Sequence, residues 1–240
     1  MVNKNRKKIS CIIPAFNEED RIENNLQIAI NHPLIDEVIV INDGSNDRTG
    51  DVLKRFKGIK IVNNPLNMGK SFSVMKGLEL VRNEIILLLD ADLEGLTKEN
   101  LDSLINPVLK NDAKITISER KNSLILRKIM GVDYLSGDRV FDRKIIRDYK
   151  ELSKIKGYGL EVFLNEIIIK DKLPLEVVKW DNVRAPDKRE KSKSFQAIKQ
   201  NFRMLNHMLN TVGIRGVLNQ MYKLRQLRIH KKNTYPEKIR

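Results

Sequence analysis

Alternating strand-like and helix-like segments over residues 9–118 predict an α/β protein with a mainly parallel central sheet flanked by helices. Three observations carry this. The strand candidates are short β-branched runs bounded by turn residues. Each is followed by apolar residues at helical spacing. The polar clusters fall just behind the strand ends, where open parallel sheets hold their ligands.

In chain order, Ile9–Pro14 is the first strand, and its apolar run predicts burial. Asn17-Glu18-Glu19 opens a helix whose Ile22, Leu26 and Ala29 share one face. Glu37–Ile41 is the second strand, ended by the turn-rich run from Asn42 to Asp47. A helix over Thr49–Phe56, a short strand Lys60–Asn63 and a loop Asn64–Gly69 come next. Lys70–Val81 is helical, and Glu84–Leu89 is a strand running into Asp90-Ala91-Asp92. A helix over Glu99–Leu109 and a strand over Lys114–Ser118 complete the alternation.

The 240 residues allow one large domain or a medium one with an appendage. Apolar content of 41% beside 32% charged residues excludes wholesale disorder. A lone cysteine, Cys11, excludes an internal disulfide, and three scattered histidines exclude a Cys/His zinc cluster. No apolar run approaches the roughly 20 residues of a spanning helix. The run behind the basic N-terminus is too short for a secretory signal, so the chain is expected to be cytoplasmic.

Charge divides the chain unevenly. Residues 184–240 hold 15 basic and three acidic side chains, which is +12 of the net +14. Such a segment suits a polyanion: nucleic acid, an anionic membrane or a phosphorylated substrate. With 5% aromatics and no nucleic-acid-binding motif, a nucleic-acid partner is not expected. Phe195, Ile198, Phe202, Leu205, Leu209 and Val212 form one helical stripe, and Val217, Met221 and Leu224 continue a second. These helices have three readings: packing on the first domain, self-association as a homodimer, or peripheral attachment to an anionic membrane.

Among the polar clusters, Asp90 and Asp92 repel each other unless a cation neutralises them, and hard divalent ions take such oxygen ligands. A capped turn at the strand end explains the same residues structurally. Asp43 is either an Asx-turn residue or an acceptor for a nucleobase edge. No dinucleotide fingerprint follows the first strand, and Gly69-Lys70-Ser71 lacks the first glycine of a P-loop.

The ordered segments CIIPAFNEED, VIVINDGSNDRT, NNPLNMGKSFSVMKGL and ILLLDADLEGL resemble family-2 glycosyltransferases of GT-A fold. The likeness runs over about residues 8–183, toward dolichol-phosphate mannose synthases and glucosyl-3-phosphoglycerate synthases. It implies a catalytic domain over 1–183, followed by a basic loop and amphipathic helices over 184–240. It also implies an inverting transferase that uses a nucleotide-sugar donor. The resemblance places Pro14, Ala15, Phe16 and Glu18 around the nucleoside, Asp43 at the base and Ala91 at the ribose. Asp90 and Asp92 match the pair that holds Mg²⁺ or Mn²⁺ on the donor diphosphate. Arg120 and Arg184 match phosphate contacts. Glu161, in GYGLEVF, matches a residue beside the donor sugar or acceptor and is the candidate general base. Its structural alternative is a helix-N-terminal glutamate.

Two departures accompany the likeness: Asn42 replaces an aspartate, and Pro186 stands where many relatives carry a metal-binding histidine. The acceptor is expected to be a polyprenyl phosphate or a small soluble hydroxyl compound. The different-class alternative is a non-catalytic polyanion-binding protein.

Overall fold

A computed structural model describes residues 6–121, 136–155, 159–186, 216 and 219–229. Its centre is a seven-stranded sheet. The strands are β1 (Ile9–Ala15), β2 (Glu37–Asn42), β3 (Lys60–Asn63), β4 (Ile85–Leu88), β5 (Ile115–Arg120), β6 (Arg139–Asp142) and β7 (Leu175–Trp180), in spatial order β3-β2-β1-β4-β6-β5-β7. Helices α1 (Ile22–Ile30), α2 (Thr49–Lys54), α3 (Lys70–Leu80), α4 (Lys98–Leu109) and α5 (Gly159–Lys170) cover it. β1–β4 pair in parallel, as do β5 and β7. β6 lies antiparallel between β4 and β5. The expected mainly parallel α/β sheet is present, and β6 is an element that the regular alternation did not contain.

Side-chain alternation splits the core into two layers. Ile12, Ile39, Ile41, Ile86 and Leu88 face one side, with Val74 and Leu78 of α3 and Leu160 and Leu164 of α5. Ile9, Cys11, Ile13, Val38, Val40, Ile85 and Leu87 face the other, with Leu26 of α1 and Leu104 of α4. α3 sits close on β1: a Cβ at Gly77 would lie 2.5 Å from Ile12 Cγ2.

Two boundaries differ from the sequence expectation. Pro14 does not end β1: pairing with β4 already stops at Ile12, so Pro14 lies beyond that ladder, and Ala15 still pairs with Asn42 on the β2 side. α1 begins at Ile22 rather than at Asn17, which is left-handed with φ 55°. Tertiary hydrogen bonds hold Asn17 there: its amide donates to Ser45 Oγ at 3.0 Å, and its Oδ1 accepts from the Asn46 amide at 2.8 Å. Asparagine is among the few non-glycine residues that adopt this conformation readily.

The helices expected over the C-terminal segment fall mostly outside the described residues, as do the basic stretch Lys188–Lys193 and the stripe Phe195–Val212. Residues 219–229 are described, and they pack against the sheet and its α3–α5 layer. Met221 and Leu224 are buried in the α3–α5 layer. The Gln220 side chain donates through Nε2 to Glu166 Oε1 at 3.2 Å, and the Ile229 backbone amide donates to the Leu175 carbonyl of β7 at 2.8 Å. No helix of the described residues is long and apolar enough to cross a membrane.

Candidate active site

The carboxyl ends of β1, β2 and β4 carry two neighbouring groups of polar residues. The first is a rim of stapled loops. Behind β2, Asp43 is 3% exposed and its amide donates to the Ala15 carbonyl at 2.8 Å. Its carboxylate accepts from the side chain of Asn64 at 2.7 Å and from the amides of Met68 and Gly69 at 3.0 and 2.8 Å. One aspartate thereby ties the β2 loop to the loop that starts α3. Gly44 completes the closure at φ +67°, where a Cβ would run into the Leu66–Asn67 backbone.

On the β1 side Ala15 is buried and Pro14 half-buried, while Phe16 is exposed over the rim. Glu18 is buried, with its amide on Thr49 Oγ1 at 2.8 Å. An ion-pair chain runs outward from it: Glu18 to Arg21 at 3.3 Å, Arg21 to Glu94 at 3.6 Å, and Glu94 to Arg184 at 2.7 Å. Arg184 also pairs with Glu94 through the backbone, so it closes the far side of this rim.

The second group is a charge cluster behind β4. Asp90 Oδ1 lies 2.7 Å from Lys70 Nζ, and Oδ2 lies 3.2 Å from an Arg120 Nη. Lys70 Nζ also reaches Glu161 Oε1 at 2.9 Å. Beneath them is Asp138, without solvent exposure. It accepts from the Asp90 amide and from Ser118 Oγ, each at 3.0 Å, and lies 3.7 Å from Arg120. Gly137 leaves the space for this packing, since a Cβ there would lie 2.5 Å from Asp90 Oδ1 and would collide with Lys70 Nζ. Asn25 of α1 supports the same segment from behind, donating to the carbonyls of Ala91 and Leu93 at 2.9 and 3.1 Å.

The titration of the cluster follows from this geometry. Burial favours protonated Asp90, but Lys70 and Arg120 overcome it and hold its pKa at about 2. Burial pushes Asp138 up to about 6, with Arg120 opposing and Asp90 adding to the rise. Burial works against charged Lys70, yet Asp90 and Glu161 hold its pKa above the ordinary lysine range.

The structure therefore brings Asp90, Arg120 and Glu161 into one cluster. It sets Ala15, Glu18 and Asp43 on the adjoining rim, where Pro14 and Phe16 also lie, and puts half-buried Asp92 one turn residue beyond Ala91. Arg184 is held by Glu94 rather than by the cluster. The sequence reading missed three participants. Lys70 lies in NNPLNMGKSFSVMKGL, a segment that carries part of the family resemblance and is weighed against a P-loop, but with no role assigned to its lysine. Asp138 and Asn25 carry no local signal, because their partners are 48 and 66 residues distant.

The donor set suits a hard divalent ion. Asp90 already pairs with two cationic side chains, and carboxylate oxygens are what Mg²⁺ and Mn²⁺ prefer. Among the described residues no third acidic, Cys or His side chain completes a metal cluster. An ion on Asp90 and Asp92 would fill its shell with phosphate oxygens and water, the usual habit of Mg²⁺.

A parallel β1–β4 block, an inserted antiparallel strand and an acidic cluster behind the fourth strand define an α/β protein of the GT-A class. Comparison with known proteins makes this specific. Residues 10–161 match the family described as Glycosyl transferase family 2. The chain belongs to that family. It is 32% identical over 152 residues to dolichyl-phosphate beta-glucosyltransferase ALG5D of Trichomonas vaginalis, covering 58% of this chain and 45% of that protein. It is 35% identical over 109 residues to 4,4'-diaponeurosporenoate glycosyltransferase of Staphylococcus aureus, covering 44% and 29%. The chain thus spans less than half the length of these curated relatives. Glucosyl-3-phosphoglycerate synthase of Mycobacterium tuberculosis, crystallised with Mn²⁺, uridine diphosphate and phosphoglyceric acid, has the same fold. The TM-score is 0.68 at 20% identity, over 90% of this chain and 78% of that one.

Proposed function

We propose that the protein transfers a sugar, with inversion, from a nucleotide-sugar donor to a polyprenyl-phosphate acceptor, assisted by Mg²⁺ or Mn²⁺. The observation that carries this reading is Asp90: a carboxylate at the end of β4, holding two cations beside a rim stapled through Asp43. Relatives named for dolichyl phosphate support the acceptor class.

In this reading Pro14, Ala15, Phe16 and Glu18 frame the nucleoside, Asp43 faces the base and Ala91 lies at the ribose. Asp90 and Asp92 hold the metal, which supplies Lewis-acid stabilisation of the departing diphosphate. Displacement at the anomeric carbon passes through an oxocarbenium-like state, and negative charge grows on the leaving group. Lys70 and Arg120 stand within 3.2 Å of Asp90, placed to meet that charge. Arg184 contributes from the rim. A phosphate acceptor is ionised near neutral pH, its second pKa being about 6, and needs no base.

A small phosphorylated hydroxyl acceptor is the second reading, favoured by Glu161. It is buried at the cluster, and its carboxylate is oriented by Lys70, as a general base for a hydroxyl requires. The proposed division is a catalytic domain over 1–183 and a basic segment over 184–240, of which Met221 and Leu224 pack on that domain; peripheral contact with an anionic membrane and a homodimer surface are the two alternative roles proposed for the rest.

Asp92→Asn tests the core of the reading. It is expected to abolish transfer and to weaken Mn²⁺-dependent binding of nucleoside diphosphate without unfolding the protein. Near-normal transfer by Asp92→Asn refutes the assignment. Flotation with anionic liposomes at low salt separates the acceptors, since a protein that stays in solution favours the soluble one.

A further inference from the structure

We propose that Asp138 is a positioning residue for the transfer reaction. It fixes the Asp90 backbone and anchors the Arg120 guanidinium, so that both keep their orientation when a metal-bound diphosphate takes over the Asp90 carboxylate. The inference rests on the proposed function and assigns a residue outside its binding set.

Three features of the geometry carry it. Asp138 is fully buried, and its two oxygens are divided between partners: Oδ1 accepts from the Asp90 amide at 3.0 Å, and Oδ2 accepts from Ser118 Oγ at 3.0 Å. Ser118 is itself fixed by Ser136 at 2.7 Å, so the carboxylate cannot rotate without breaking a closed network. One Arg120 nitrogen sits between two carboxylates, 3.2 Å from Asp90 Oδ2 and 3.7 Å from Asp138 Oδ2.

A neutral acceptor would satisfy the amide and the hydroxyl equally well. Placing a carboxylate there, without solvent and beside Asp90, carries a desolvation penalty that a neutral acceptor would avoid. The charge does have a use toward Arg120. When Asp90 turns to a metal, Arg120 loses its nearer partner, and the donor diphosphate would draw it out of the cluster. Asp138 keeps an anion behind it, so Arg120 points at the phosphate from a fixed base. Preorganised donors of this kind need no reorganisation as charge develops.

The experiment uses Mn²⁺ with inorganic pyrophosphate as the probe, measured by calorimetry on the full chain and on Asp138→Asn, Arg120→Met and the double variant. Asp138→Asn keeps the side-chain shape. It is expected to bind Mn²⁺–pyrophosphate about 10-fold more weakly, with little further loss when added to Arg120→Met, because it acts through that guanidinium. Wild-type affinity in Asp138→Asn overturns the proposal and leaves the proposed function standing. So do losses that simply add in the double variant, since they would mark an independent structural role. A wild-type chain that binds no Mn²⁺–pyrophosphate overturns the proposed function itself, and this inference with it. If Asp138→Asn does not fold, Asp138→Ser, which leaves room for a bridging water, is read by the same criteria.

Discussion

Replacing Lys70 with methionine isolates the charge balance of the cluster. Lys70 Nζ bridges Asp90 at 2.7 Å and Glu161 at 2.9 Å, and their side chains are 16% and 3% exposed. At an effective dielectric of about 20, each pair is worth roughly 6 kcal/mol of gross Coulomb attraction. Desolvation of three charged groups offsets most of this, so the net value of the bridge is small. Breaking it is different, because Lys70→Met leaves the Asp90 and Glu161 carboxylates near each other with, among the described residues, Arg120 as the remaining cation paired to Asp90. Removing one partner of a buried pair typically costs 3–5 kcal/mol. Lys70 is 30% exposed, which argues for the low end, about 3 kcal/mol. In a chain of this size that lowers Tm by roughly 6–12 °C.

Urea unfolding at pH 8 without divalent ions measures the loss directly. Millimolar Mn²⁺ is expected to restore part of it, since a dication on Asp90 relieves the same repulsion. Unchanged metal-free stability in Lys70→Met would show that the cluster does not depend on this cation, and the electrostatic reasoning would fail.

Three further outcomes are expected. Asp43→Ala removes the acceptor for Asn64, Met68 and Gly69, costing on the order of 3 kcal/mol, and weakens nucleoside diphosphate binding more than pyrophosphate binding. Equal weakening of both ligands in calorimetry would make Asp43 a loop anchor alone. Leu224→Ala, at a fully buried position, is expected to cost about 3 kcal/mol in urea unfolding; a loss under about 1 kcal/mol would mean that residues 219–229 are detachable. Burial lowers the pKa of His32, with Asp102 opposing, so the unfolded chain binds the proton more readily. The stability His32 contributes is present above the unfolded pKa and is lost as pH falls through the folded one. His32→Gln is therefore expected to flatten the stability profile between about pH 7 and 5, as followed by denaturant unfolding; an unchanged slope counts against this cause.

The alternation of β1 through β5 with α1 through α4 was legible because both periodicities are local. Ile12 and Ile86 against Cys11 and Leu87 already state which residues share a face of the sheet. The motifs behind β1, β2 and β4 were legible for a related reason: a strand end and its turn are contiguous in sequence. Local reading placed Asp43 and Asp90 at the ends of β2 and β4 but did not reveal what each carboxylate bonds to. Lys70 meets Glu161 across 91 residues, and Asp138 meets the Asp90 amide across 48. Only the insertion of antiparallel β6 between β4 and β5 brings Asp138 beneath Asp90.

The start of α1 was decided in the same way, by Ser45 and Asn46 holding Asn17 in a left-handed turn. Hydrophobic period and turn chemistry are written residue by residue, so the sequence alone determined the alternation of β1–β5 with α1–α4 and the polar turns behind the strand ends. Electrostatic partnership depends on distance in space, so the tertiary structure decided which cation each buried carboxylate keeps.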